Sequence, residues 1–178
     1  MSTGGGDLGE TAEILTLEQE VKNDNRIVQG WLLQYKQRKE KHLARLDNAL
    51  YASPAPPDGM PRGSGVSNPT EQKGGRLAEL DEGDGAWLAL IEEVQERLPW
   101  KMQIVLKLRR EAMYIKGKRR GRPAWVAYVQ VHYCEEVAAR TGQPLEDVWI
   151  SKEHTFYAWW ARILEYTARL AIKRGLVE

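Results

Sequence analysis

Residues 151–175, SKEHTFYAWWARILEYTARLAIKRG, constrain the fold more than any other stretch of the chain. At roughly 100° per residue, Phe156, Trp160, Ile163, Leu164, Thr167, Leu170 and Ala171 fall on one broad face, the signature of an amphipathic helix. Ser151 is a favoured N-cap type, Glu153 suits the positive end of a helix dipole, and Gly175 can supply a left-handed stop. Such a helix needs a core to cover its apolar face. The opposite face carries His154, Thr155, Ala158, Arg162, Glu165, Arg169 and Lys173, polar and mostly basic, with the small Ala158 permitting close approach. A face of this kind is either solvated or laid in a DNA groove, and the segment alone leaves both readings open.

The rest of the chain repeats the helical period, so the expected fold class is all-α. Residues 1–10 are Gly-rich and polar and are expected to be disordered. A helical arm is expected over 11–52, its stronger part running from Asn25 to Leu50 with Ile27, Trp31, Tyr35, His42, Leu46 and Leu50 mostly on one face. This helix packs either on the C-terminal domain or on a second copy, which makes a homodimer through the N-terminal helix one candidate assembly. Pro and Gly forbid a continuous helix over 53–68 and mark a connection. A helix start follows, with Asn68 as cap, Pro69 at the first position and Glu71 in a capping-box position.

The remainder, 69–178, is expected to form one helical domain. Its pattern breaks at GDG (83–85) and resumes with Trp87, Leu90, Ile91 and Val94 on one face. A further helix opens at Pro99 and carries Met102, Val105, Leu106, Arg109 and Met113. Ala124 to Thr141 places Trp125, Val129, Tyr133 and Val137 four apart, with Gly142 as the stop. A helix-turn-helix is expected within 124–174.

The net charge of +1 conceals an asymmetry. Residues 1–100 hold 11 Lys/Arg against 17 Asp/Glu, whereas residues 101–178 hold 15 against 8. A basic half points to a polyanion partner, because neutralising phosphates supplies most non-specific nucleic-acid affinity. KGKRRGRP (116–123) concentrates that charge, with five basic residues in eight. No apolar run approaches the ~20 residues that cross a bilayer, and MSTGGGDLGE lacks the basic start and apolar run of a signal peptide. No membrane association and a cytoplasmic location are therefore expected. Cys134 is the single cysteine and reads as a core residue. The scatter of His42, His132 and His154 argues against a zinc site.

Three segments carry a resemblance. GMPRGSGVSNPTEQ, LPWKMQIVLKLRR and ISKEHTFYAWWARIL occur in the order and type seen in phage and prophage late-gene transcription regulators of the RinA-like and ArpU-like group. The resemblance covers about residues 35–170, and PRGSGVS is its most distinctive piece. It implies a C-terminal helix-turn-helix similar to sigma-factor region 4, with Leu98 to Arg110 as the opening helix and Ser151 to Arg162 as the recognition helix. It also implies host RNA polymerase as a partner. The chain departs from the family pattern by inserting KGKRRGRP and by lengthening the turn with QPLEDVW.

Base contacts are expected from Lys152, Glu153, His154, Thr155 and Ala158, since the first turns of a recognition helix reach base edges. Lys can donate to guanine, Glu can accept from cytosine, and Thr or Ala can touch a thymine methyl. Phosphate contacts are expected from Lys118, Arg119, Arg120, Arg122, Arg162, Arg169 and Lys173. Tyr157 and Trp159 flank the polar face and are expected in the core. The sequence offers no nucleophile with an evident base and no acidic cluster placed for metals, so no enzyme activity, cofactor or metal is expected. The expected function is sequence-specific recognition of double-stranded DNA, as in a late-gene activator. A small terminase subunit and a polymerase-binding antiterminator are the alternatives.

Overall fold

The computed structural model describes residues 7–51, 74–75, 78, 81–119 and 122–177. The chain is all-α. Helix α1 spans Asp7–Tyr51, α2 Ala86–Arg97, α3 Trp100–Glu111, α4 Ala124–Thr141, the single turn α5 Leu145–Val148, and α6 His154–Lys173. A π-helical turn, Asp81–Gly85, leads into α2, and a 3₁₀ turn, Ala112–Tyr114, closes α3. Among the described residues the extended pairing is one two-rung antiparallel ladder, Lys118 opposite Pro123 and Arg119 opposite Arg122.

The stripe expected on the last helix forms the centre of the molecule. Phe156, Trp160, Ile163, Thr167 and Ala171 are buried on α6, which packs on α1, α2, α3 and α4. Burial of one such large side chain stabilises the fold by roughly 1.5–3 kcal/mol. Val129, Tyr133 and Val137 of α4 are buried as their four-residue spacing predicts, and Val126 and Cys134 join them. On α2, the expected Trp87, Leu90, Ile91 and Val94 are all buried.

Both glycine stops form. Gly142 (φ +70°) ends α4 with its amide on the Ala138 carbonyl at 2.9 Å. Gly175 (φ +66°) ends α6 in a Schellman arrangement. The Leu176 amide donates to the Ala171 carbonyl at 3.0 Å and the Gly175 amide to the Ile172 carbonyl at 2.9 Å, while Leu176 packs against the core.

Helix α1 crosses the bundle through Val28, Trp31, Leu32 and His42. Trp31 stacks on Trp87 with ring centroids 5.2 Å apart and planes 4° from parallel. The Tyr35 hydroxyl and Lys39 Nζ both donate to Glu92 Oε1 at 2.7 Å, and Arg45 pairs with Asp84 at 2.7 Å. Arg110 ties α3 to α1 by donating its Nε to the Leu32 carbonyl at 2.7 Å.

Several expectations are corrected. Ile27 and Leu50, expected on the packed face of α1, are exposed, and Val28 and Leu32 lie there instead. Residues 7–10 are helical rather than disordered, lying in the first turn of α1. The GDG break at 83–85 is accommodated inside the π turn, with Gly85 in ordinary right-handed helical conformation. Residues 1–6, the 53–68 connection, the PRGSGVS segment and the Asn68 cap lie outside the described residues, as does most of the helix expected from Pro69 to Asp81.

Candidate nucleic-acid interface

The first turn of α6 is held from below by aromatic packing. Phe156 is fully buried and meets Tyr133 edge-on at 5.4 Å and Trp159 at 5.7 Å; Trp159 also contacts Tyr133 at 5.4 Å. Burial pushes the Tyr133 hydroxyl up to about 12, ahead of a smaller contribution from Cys134, so it stays neutral. Tyr157 lies edge-on to Trp125 of α4 at 5.4 Å. Tyr157 and Trp159 thus belong to the packing, as expected.

Beneath Trp125 sits Arg109, its guanidinium 4.5 Å from the Trp125 ring and 5.4 Å from that of Trp160. It is 9% exposed, and its Nε has no hydrogen-bond partner. Desolvation holds its pKa below the ordinary arginine value. Two indole faces take the place of a carboxylate here.

The segment before α6 is fixed by a residue that helical spacing did not single out. The buried Gln130 donates its side-chain amide to the Ile150 carbonyl at 2.7 Å and to the Ser151 carbonyl at 3.5 Å. Ser151 is not the N-cap. The helix begins at His154, with the Thr155 amide on the Lys152 carbonyl and the Phe156 amide on the Glu153 carbonyl, each at 3.0 Å. Backbone acceptors satisfy the first turn, so no serine hydroxyl is needed.

The structure places the expected base-reading set at one end of α6. Lys152 and His154 are exposed, and Glu153, Thr155 and Ala158 are half-buried. Lys152 and Glu153 precede the helix rather than belonging to its first turn. Arg162, Arg169 and Lys173 follow on the exposed face, spanning about 16 Å at 1.5 Å per residue. Arg169 pairs with Glu165 at 2.6 Å, an exposed contact that salt screens. Lys152, Arg162 and Lys173 have no carboxylate partner among the described residues.

The basic insertion is a hairpin rather than a plain loop. Lys118 and Arg119 pair with Arg122 and Pro123 along the backbone, while Arg120 lies outside the described residues. The Ala124 amide donates to the Gly117 carbonyl at 3.1 Å, anchoring the hairpin base on the start of α4. Because Trp125 touches Tyr157, the hairpin base and the start of α6 lie on adjoining ground. An open groove of about 830 Å³ connects them, lined by Ile115, Pro123, Tyr128, Val131, Trp149 and Glu153 among others. Its exposed apolar residues were missed from the sequence. Val131 lies off the 125–129–133–137 stripe, and that offset was the available signal.

Among the described residues, no group of His, Cys, Asp and Glu could hold a metal ion, and no helix is long and apolar enough to cross a membrane. Fold and site define an all-α protein whose last helix presents a largely basic outer face beside a basic hairpin. No protein-family model, curated protein or solved structure matches the chain.

Proposed function

We propose that the protein binds double-stranded DNA sequence-specifically and regulates transcription, acting as a phage late-gene activator with host RNA polymerase. The observation that carries this reading is the outer face of α6, where Lys152, Arg162 and Lys173 stand without carboxylate partners among the described residues, beside the basic hairpin. The resemblance of three segments to RinA-like and ArpU-like regulators supports the same reading. In this arrangement α4, the turn 142–153 and α6 act as a helix-turn-helix. The first residues of α6 reach base edges, while Arg162, Arg169, Lys173 and the hairpin cations hold phosphates.

In this reading the hairpin acts as a wing. Arginines and lysines next to a recognition helix can enter the adjoining minor groove, whose narrow stretches concentrate negative potential. The test uses the full chain. Removing one phosphate-neutralising cation should lower the salt dependence of log K by about 0.9. The triple substitution Arg162→Ala, Arg169→Ala, Lys173→Ala should therefore flatten the slope by about 2 to 3 and weaken binding on all duplexes alike. An unchanged slope overturns the assignment of these residues.

A further inference from the structure

Between the end of α2, one face of α3 and the last turns of α4 lies a cavity of about 310 Å³, within the size range of small-molecule sites. Helical spacing builds its α3 wall. Trp100, Gln103, Ile104 and Lys107 follow the i, i+3, i+4, i+7 pattern of one helix face, and Arg110 continues it. Glu136 and Arg140, one turn apart on α4, face that wall, and Gln95 of α2 closes one side. Three cations, Lys107, Arg110 and Arg140, thus line the cavity against the single carboxylate of Glu136.

Arg110 is the most enclosed of the three and is already fixed in place. Its Nε donates to the Leu32 carbonyl at 2.7 Å, one Nη donates to Gln95 Oε1, and the guanidinium lies 4.9 Å from the Tyr35 ring centroid. Its second Nη is buried and has no hydrogen-bond partner. Burial lowers its pKa to about 10, against a smaller opposing contribution from Tyr35, so the group is still a cation at neutral pH. A buried charged donor without an acceptor is costly, and an anion in the cavity would supply the acceptor. The other two cations are exposed. The Arg140 guanidinium lies 4.8 Å from the Trp100 ring centroid and has no carboxylate partner among the described residues. Lys107 pairs with Glu136 at 3.1 Å, a solvent-open contact that yields at little cost to a better-matched anion.

We propose that this cavity binds a small organic dianion, a dicarboxylate or a phosphate monoester, with an oxyanion group on Arg110 and Arg140 and its carbon body against Ile104 and Trp100. The surplus of two cations sets the charge of the ligand. A guanidinium fork meets two oxygens of a carboxylate or phosphoryl group at once, which sets the head group. The Trp100 ring is already engaged by Arg140 and Lys101, so the charged group rather than a stacked base carries recognition. The cavity shares no residue with the outer face of α6 or with the hairpin, and titration without DNA reads it apart from duplex binding.

Calorimetric titration of the full chain at constant ionic strength, with succinate, glutarate and glycerol phosphate in turn, tests the site, and the Trp100 indole resonance reports where the anion sits. At least one of the three should bind one to one with a millimolar or lower Kd and shift that resonance. Tighter binding of the dicarboxylates assigns a carboxylate head group, and tighter binding of glycerol phosphate a phosphoryl one. Arg140→Gln and Lys107→Gln, both at exposed positions, should each weaken binding about tenfold. Arg110 is left unaltered because it also ties α3 to α1. Arg97→Gln removes the same charge from α2 outside the cavity and should leave binding unchanged. No binding of any of the three at millimolar concentration overturns the proposal, as does binding indifferent to Arg140→Gln and Lys107→Gln. Equal weakening by Arg97→Gln, or inorganic phosphate binding as tightly as the best organic anion, marks an adventitious ion only and overturns it too.

Discussion

Arg109 offers the sharpest test of how the base of α6 is held. Its guanidinium is buried between the Trp125 and Trp160 rings, with no carboxylate partner among the described residues and an unbonded Nε. Two desolvated cation–π contacts contribute about 1–4 kcal/mol together. Against them stand about 1–3 kcal/mol for the unsatisfied Nε and the further cost of desolvating a charge. The costs match or exceed the gain, so the charge should add no net stability while the side-chain volume adds much. Arg109→Met fills most of the space between the rings and should lie within about 1 kcal/mol of the unaltered protein. Arg109→Ala empties it and should lose about 2–4 kcal/mol, in the range of large-to-small core substitutions. Urea unfolding followed by tryptophan fluorescence measures both. If Arg109→Met loses as much as Arg109→Ala, the cation itself holds the indoles together and the volume argument fails.

Three further outcomes rest on the geometry. The Lys39 ammonium, then the Tyr35 hydroxyl, hold the Glu92 carboxyl below its ordinary value. Its contribution is thus present above the unfolded carboxyl pKa and fades as pH falls through the folded one; in acid melts Glu92→Gln should lessen the loss of stability across that window. Gly142→Ala forces a side chain into φ +70° and should cost about 1–2 kcal/mol in chemical denaturation, although nothing within 4 Å would meet the added methyl group. Gln130→Leu should leave the core packed but release the Ile150 carbonyl, so amide exchange at 150–156 should accelerate more than at positions deeper in α6, such as Thr167.

The helical periods of α2, α4 and α6 were legible because each stripe faces one continuous core, so burial follows spacing. The Gly142 and Gly175 stops were legible for a local reason, as glycine adopts the left-handed region without steric cost. On α1 the spacing admitted two neighbouring stripes. Ile27 and Val28 differ by one position, and only the bundle on one side decides that Val28 is buried. The Ser151 cap failed because the helix starts three residues later, at His154, while Gln130 of a distant helix holds the carbonyls of 150 and 151, a contact no local pattern encodes. The candidate interface was partly legible: charge identified the residues of α6 and of 116–123. That the hairpin stands beside the start of α6 depends on contacts such as Trp125 with Tyr157, which no local pattern encodes.

Whether the start of α6 reads bases is decided by selecting bound sequences from random duplex DNA with the full chain. A defined site should be enriched, and Lys152→Ala with His154→Ala should relax preference at a few positions, each worth about 1–3 kcal/mol. Random sequences recovered at every round, or an enriched site unaltered by that double substitution, would contradict base reading by this helix.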